Sequence, residues 1–338
     1  EPVVFSYVRH KLAYDYHRLR VKIGTPEGID PIDKFDNSIF KSLNNILKSI
    51  LGIRLYLNRP DDNSLNYVMN FLDEKMGRPI NVTDLSAGEK GIIHFIFSIY
   101  GFDLENGVMI IDEPELHLHP QIQEKYIDIL NKAIDDMKMQ FIVATHSPIL
   151  VNSKTISNVK RFYKNENEFT QVITSQNKSE HHNLVKYLDY TKATQIMFSN
   201  HVVMVEGESD GYVFQHYYEN YKERKLINRN LNFIHIVGKD SYNDWKKFFD
   251  DWKITSFFIR DLDNFGGGDN GIQSKYLENI YILKQGKLET YIGKEKSEKF
   301  QNAVDFCETR YSNWFQAPKN ADKIIEWDGI FGNILSKL

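Results

Sequence analysis

Cysteine is almost missing from this chain: Cys307 is the only one in 338 residues. An internal disulfide is therefore excluded, and one thiol is too few for a structural zinc module. Proline is sparse at nine residues, and no apolar run approaches the ~20 residues of a membrane span. No secretory signal is visible. Together these absences point to a packed α/β chain in a reducing compartment, with the cytoplasm as the expected location. Net basic charge is missing too; the formal value is −4. That disfavours a globally basic nucleic-acid binder, but leaves room for metal ions and a local basic stripe to meet phosphates. The sequence also lacks G-x-x-x-x-G-K-[ST], the loop that cradles nucleotide phosphates. The first residue is Glu1 rather than Met, so a fragment of a longer protein is expected.

What is present starts as supporting structure. Asp36 to Leu51 carries Ile39, Phe40, Leu43, Ile46, Leu47, Ile50 and Leu51 at helical spacing. Tyr67–Leu72 and Pro79–Thr83 read as strands joined by a turn at Gly77. From Asn81 the pattern becomes specific. Leu85-Ser-Ala-Gly-Glu-Lys90 precedes an apolar helix. Val108-Met-Ile-Ile111 ends at Asp112-Glu113 and suits a buried parallel strand. An amphipathic helix spans 122–137, and a second buried strand, Phe141–Ala144, ends at Thr145-His-Ser-Pro148. Ser86 with Glu89 is a capping box by spacing. The same helix start, with Ser86 and Gly88, also suits a nucleotide γ-phosphate. Asp112 is placed to hold Mg²⁺ through water, Glu113 to activate a water, and His146 to sense the γ-phosphate. His117 and His119, two apart with no further ligand pattern, read as structural or loop residues.

A polar hairpin (159–172), a polar stretch (175–182) and one helix carrying Tyr187, Leu188, Ile196 and Phe198 form an expected bridge. A second α/β unit begins at His201, with strands at Val202–Val205, Phe233–Val237 and Ser256–Arg260 and helices at 211–221 and 242–252. Glu206 follows the first strand, and Asp210 lies about one helical turn beyond it. Asp261 and Asp263 follow the last; in an extended segment their side chains share a face. Clustered hard carboxylates suit Mg²⁺ or Mn²⁺. The plainer alternative makes Glu206–Asp210 an acidic helix start and Asp261-Leu-Asp263 a solvated turn before Gly266–Gly268.

The order of the first set, over 81–150, resembles the ATP-binding-cassette ATPases of the SMC-like branch: signature loop, Walker B with catalytic glutamate, then switch histidine. Glu206 with Asp261-x-Asp263 resembles the Toprim domain. The two in succession are the layout of the OLD (overcoming lysogenization defect) family nucleases, GajA-like enzymes among them. The resemblance implies the C-terminal part of an ABC/SMC-like ATPase domain, without Walker A, over 1–154. A bridge over 155–200 and a Toprim nuclease-like domain over 201–338 complete it. It further implies Glu206 and Asp210 on one metal, Asp261 and Asp263 bridging or on a second, and Glu289 as a later ligand. Lys287 stands where a small polar residue is expected. A late lysine neutralising the phosphorane is implied as well, with Lys319 and Lys323 as candidates.

The implied activity is two-metal hydrolysis of DNA phosphodiesters with Mg²⁺ or Mn²⁺, controlled by an ATP/Mg²⁺-binding domain that dimerises across its signature loops, in phage defence. This chain alone is not expected to hydrolyse ATP. One competing reading is an SMC-like DNA clamp or sensor whose Toprim domain does not cut. Another makes the chain a subunit of a defence complex, gated by a helicase or other effector. Membrane partners are not expected.

Overall fold

The computed structural model describes residues 3–23, 39–58, 68–101, 105–116, 118–165, 167–174, 178–236, 241–262, 279–293 and 299–338. The chain divides into two units, Glu1–Leu150 and Val151–Leu338. His117, Asp263, Val237, Gly266–Gly268 and the start of the helix expected from Asp36 lie outside the described residues.

The first unit opens on helices α1 (Val3–Ile23) and α2 (Ile39–Leu51), the former not foreseen from the sequence. Leu43, Ile46 and Leu47 lie three and four apart, and all are buried. An antiparallel sheet follows, in the order β1 (Ile53–Asn58), β2 (Val68–Asp73), β3 (Arg78–Ile80). Asn44 pins α2 to β1 by hydrogen bonds in both directions with the Leu55 backbone, at 3.1 and 2.7 Å. Gly77 takes φ +63° in the β2–β3 turn, as its position there requires. The second strand is shorter than the expected Pro79–Thr83, because Val82–Asp84 curls into a 3₁₀ turn.

Next come α3 (Ala87–Tyr100), β4 (Val108–Asp112), α4 (Pro120–Met137) and β5 (Gln140–Ala144). β4 and β5 pair in parallel, with Asp112 opposite Ala144, and α4 is the crossover between them. Pro120 at the first turn of α4 needs no N–H partner there. The expectation that both strands are buried on both faces is corrected. Met109, Ile111, Phe141 and Val143 pack on the core, whereas Val108, Ile110 and Ile142 are 59, 75 and 57% exposed. A continuous apolar run does not by itself tell a strand covered on two faces from one covered on a single face.

The second unit begins with the hairpin β6 (Arg161–Lys164) and β7 (Thr170–Ile173), followed by α5 (Lys178–Tyr190). The single helix expected through Phe198 is two elements. α5 ends at Tyr190, Lys192 turns with φ +57°, and Thr194–Phe198 is a 3₁₀ turn. Ile156, Val185, Leu188, Ile196 and Met197 from the expected bridge belong to a core shared with the following sheet. Arg161 is buried and donates to the carbonyls of Trp252, Lys253 and Ser199 at 2.7–3.1 Å, tying the hairpin to that sheet's base.

The sheet consists of β8 (His201–Val205), β9 (Asn232–His235), β10 (Thr255–Arg260) and β11 (Ile280–Ile282). α6 (Glu208–Lys225) and α7 (Tyr242–Asp251) are the crossovers within it. All pairings are parallel, in the order β11-β10-β8-β9. Val203 and Val205 face a core built with α6, while Val202 and Met204 face one built with α5 and α7. Helices α8 (Leu288–Ile292), α9 (Lys299–Asp305), α10 (Tyr311–Gln316) and α11 (Ala321–Ser336) complete the α6 face. A π-helical turn, Phe306–Arg310, joins α9 to α10. Trp327 of α11 packs edge-on against Phe214 and Tyr217 of α6, and Phe331 packs tilted against Phe214 and stacked on Tyr217. The chain runs from β8 to β9 on one side and returns to β10 on the other. That reversal puts the topological switch point at the carboxyl ends of β8 and β10, the place where open parallel sheets bind ligands.

Candidate functional site

Glu206 and Asp261 are the first residues past β8 and β10, so the pairing of Val205 with Ile259 brings them side by side. Glu206 Oε1 accepts from the Asp261 backbone N–H and from Arg260 Nε, both at 3.4 Å. Gly207 is the N-cap of α6, and Asp210 folds back so that its Oδ2 accepts from Gly207 N–H at 2.9 Å. The helix starts at Glu208, earlier than the expected 211, which places Asp210 in its first turn, beside Glu206. Desolvation, reinforced by the charges of Glu289 and Glu206, pushes the Asp210 carboxyl up to about 7, although the Gly207 bond and Lys299 oppose the shift. Three carboxylates therefore already share one field in the absence of metal.

Glu289 enters from α8. Its Oε1 pairs with Lys299 Nζ at 2.8 Å. Burial opposes its charge, but the Lys299 hydrogen bond, with the α8 backbone and Lys287, holds it below the usual carboxylate range. The α8 backbone is anchored by the C-terminal helices. Lys323 Nζ donates to the carbonyls of Thr290 and Tyr291 at 3.1 Å each, Trp314 Nε1 to Tyr291 at 2.8 Å and Arg310 to Ile292 at 3.3 Å. Lys323, expected at the reaction centre, thus caps the helix that carries Glu289. Lys319 is exposed on the 3₁₀ turn before α11. Lys299 and Arg260 are the cations on the carboxylates, and the sequence reading gave neither a role. Arg260-Asp261 at a strand end was a visible signal; nothing local marks Lys299.

Hard oxygen donors crowded at two strand ends fit a divalent cation in kind. Among the described residues, no group of three or more His, Cys, Asp or Glu stands close enough to hold one. Two of the carboxylates are engaged by side-chain cations instead. Cys307 is buried and its thiol is pushed up to about 12 by burial, then by Glu308, so it is no nucleophile at neutral pH.

In the first unit, Ser86 and Glu89 form the full capping box: Glu89 N–H donates to Ser86 Oγ at 3.2 Å, and Ser86 N–H to Glu89 Oε2 at 2.8 Å. Gly88 lies in the same first turn, so an anion arriving there meets the Glu89 carboxylate. Asp112 ends β4 on the uncovered face that bears Ile110. Glu113 takes φ +46°, a left-handed conformation costly for a residue with a Cβ, and donates its N–H to Ala144 O at 2.8 Å. His146 Nε2 stands 3.9 Å from Glu113 Oε1, with both side chains open to solvent. Glu115, unremarked in the sequence reading, fastens the two strand ends. It accepts from Thr145 Oγ1 and His146 N–H, each at 2.7 Å. His119 is the N-cap of α4 and makes no side-chain capping bond.

An α/β unit with an Asp-Glu strand end is thus followed in the chain by a parallel sheet whose strand ends carry clustered carboxylates. Residues 4–151 match the family described as AAA ATPase domain. Residues 197–263 match the family described as overcoming lysogenization defect protein-like, TOPRIM domain. Endonuclease GajA of Bacillus cereus (strain HuB5-5) is 23% identical, covering 79% of this chain and 48% of its own length. Old nuclease of Escherichia phage P2 is 21% identical, covering 70% and 43%. The chain is homologous to the GajA and OLD nucleases over most of its length, and spans about half of theirs. A solved SMC ATPase is 15% identical at TM-score 0.34, covering 46% of this chain and 91% of that one.

Proposed function

We propose that this chain is part of a metal-dependent DNA endonuclease whose cutting centre is formed by Glu206, Asp210, Asp261, Asp263 and Glu289. One observation carries the reading: Glu206, Asp210, Asp261 and Glu289 gather at the carboxyl ends of β8 and β10, beside the strand-order reversal. Glu206 and Asp210 would hold one divalent ion, and Asp261 and Asp263 with Glu289 of α8 would hold a second. Mg²⁺ or Mn²⁺ bound there would supply an activated water and neutralise charge on the leaving 3′ oxygen. Lys323 contributes by positioning Glu289.

The first unit is proposed to control the second. Ser86 and Gly88 would face a nucleotide bound by another subunit, while at this chain's own strand ends Asp112 would hold Mg²⁺ through water, Glu113 would activate the attacking water and His146 would sense the γ-phosphate. This makes a homodimer or larger assembly the working form, with a helicase or other effector as a candidate partner, and phage defence as the role the relatives suggest. No described helix is long and apolar enough to cross a membrane.

The engagement of Glu206 by Arg260 and Glu289 by Lys299 favours one second reading, a DNA clamp or sensor whose Toprim domain does not cut. Incubation of plasmid DNA with Mg²⁺ or Mn²⁺ separates the two. The endonuclease reading predicts nicked or linear product with the parent chain and at least a hundredfold less with Asp261→Ala. Intact plasmid under every metal and nucleotide condition decides for the clamp.

A further inference from the structure

The two cations in the acidic site are held differently. Arg260 is 10% exposed at its side chain, lies over the Phe258 ring at 5.4 Å and belongs to β10 itself, so it is fixed. Lys299 is the first residue of α9 and its side chain is 54% exposed, against 20% for the Glu289 carboxylate it meets. It reaches in from solvent to cover a charge that is largely withdrawn from water. A lysine ammonium is compact, mobile and strongly hydrated, and it can leave without stranding a buried charge of its own. The α8 backbone that carries Glu289 is held in place, because Lys323, Trp314 and Arg310 donate to the carbonyls of Thr290, Tyr291 and Ile292.

We propose that Lys299 is an internal counter-cation: its ammonium occupies Glu289 in the metal-free protein, and a divalent ion must displace it to recruit that carboxylate. The proposal rests on the metal-site reading above. It assigns Lys299 a role in setting metal affinity, so that the site stays closed at low metal concentration and opens by rotation of one exposed side chain. An ion pair this open to solvent contributes up to ~1 kcal/mol. A multidentate oxygen site for Mg²⁺ or Mn²⁺ readily exceeds that.

Calorimetric titration with Mn²⁺ tests this without any DNA. Lys299→Met is expected to bind Mn²⁺ about fivefold more tightly than the parent chain, the affinity change equivalent to ~1 kcal/mol. Lys299→Arg, which keeps the charge and the pairing, is expected to stay within about twofold. Both substitutions fall on an exposed side chain, and a thermal melt verifies their folding. A second readout follows Lys299 directly. Mg²⁺ is expected to raise its rate of modification by an amine-reactive reagent, read by mass spectrometry, while Lys319 stays constant. Mn²⁺ binding that is unchanged or weaker in Lys299→Met, or labelling of Lys299 that Mg²⁺ does not alter, overturns the proposal and leaves the metal site standing. If neither the parent chain nor Lys299→Met binds Mn²⁺, the metal-site reading falls and takes the proposal with it. Binding by Lys299→Met alone supports both.

Discussion

Asp210 shows most plainly how the site is tuned. Its carboxyl is crowded by two others and partly stripped of water, so the folded protein prefers it protonated up to about pH 7, against an ordinary value of 3.8. A group whose folded value is raised contributes its full stability below the unfolded value and loses it as pH climbs through the folded one. The metal-free protein is therefore weakened between about pH 4 and pH 7 by this residue. Asp210→Asn keeps the Gly207 contact and removes the charge. Its stabilisation in urea denaturation with chelator present is expected to be larger at pH 8 than at pH 5 by on the order of 2 kcal/mol. An equal effect at both pH values contradicts the assignment. A divalent ion bound at Asp210 would reverse the sign, favouring the ionised form.

Among the elements, legibility followed the physics of burial. β8 and β10 were readable because both faces are covered, and an unbroken apolar run ending in an acid has few other interpretations. α6 was readable from its acidic first turn. α1 was missed because its apolar residues follow no clean stripe. β4 and β5 were read correctly as strands and wrongly as fully buried, since their uncovered side is written in the same Val and Ile as their covered one. That difference is measurable. Ile110 points to solvent, so Ile110→Ala is expected to change stability by no more than ~0.5 kcal/mol. Ile93, 1% exposed in the core of the same unit, is expected to cost about 2–5 kcal/mol as Ile93→Ala in the same urea titration. A large loss from Ile110→Ala contradicts the uncovered face. Of the candidate site, Glu206 and Asp261 could be placed from strand ends alone. Glu115, Arg260 and Lys299 could not be assigned roles, because their partners are set by tertiary approach and not by spacing. Lys323, a candidate only through the family resemblance, donates to the α8 carbonyls of Thr290 and Tyr291, a contact that no spacing in the sequence announces.

At the scale of the molecule, two acidic strand ends occupy two separate units with different states of completion. The Asp112–Glu113 strand end carries no phosphate loop in this sequence, has one bare sheet face, and leaves His146 and Glu113 open to solvent. The Glu206–Asp261 strand end has a covered sheet, a helix N-terminus and an anchored Glu289. The central claim is that the second is where divalent metal binds. Anomalous diffraction from crystals of the chain soaked in Mn²⁺ tests it most directly. A manganese peak is expected within about 2.0–2.6 Å of carboxylate oxygens of Glu206, Asp210 or Asp261, with Glu289 released from Lys299 where a second ion is present. Manganese absent from these carboxylates while it is bound elsewhere on the chain would contradict the claim.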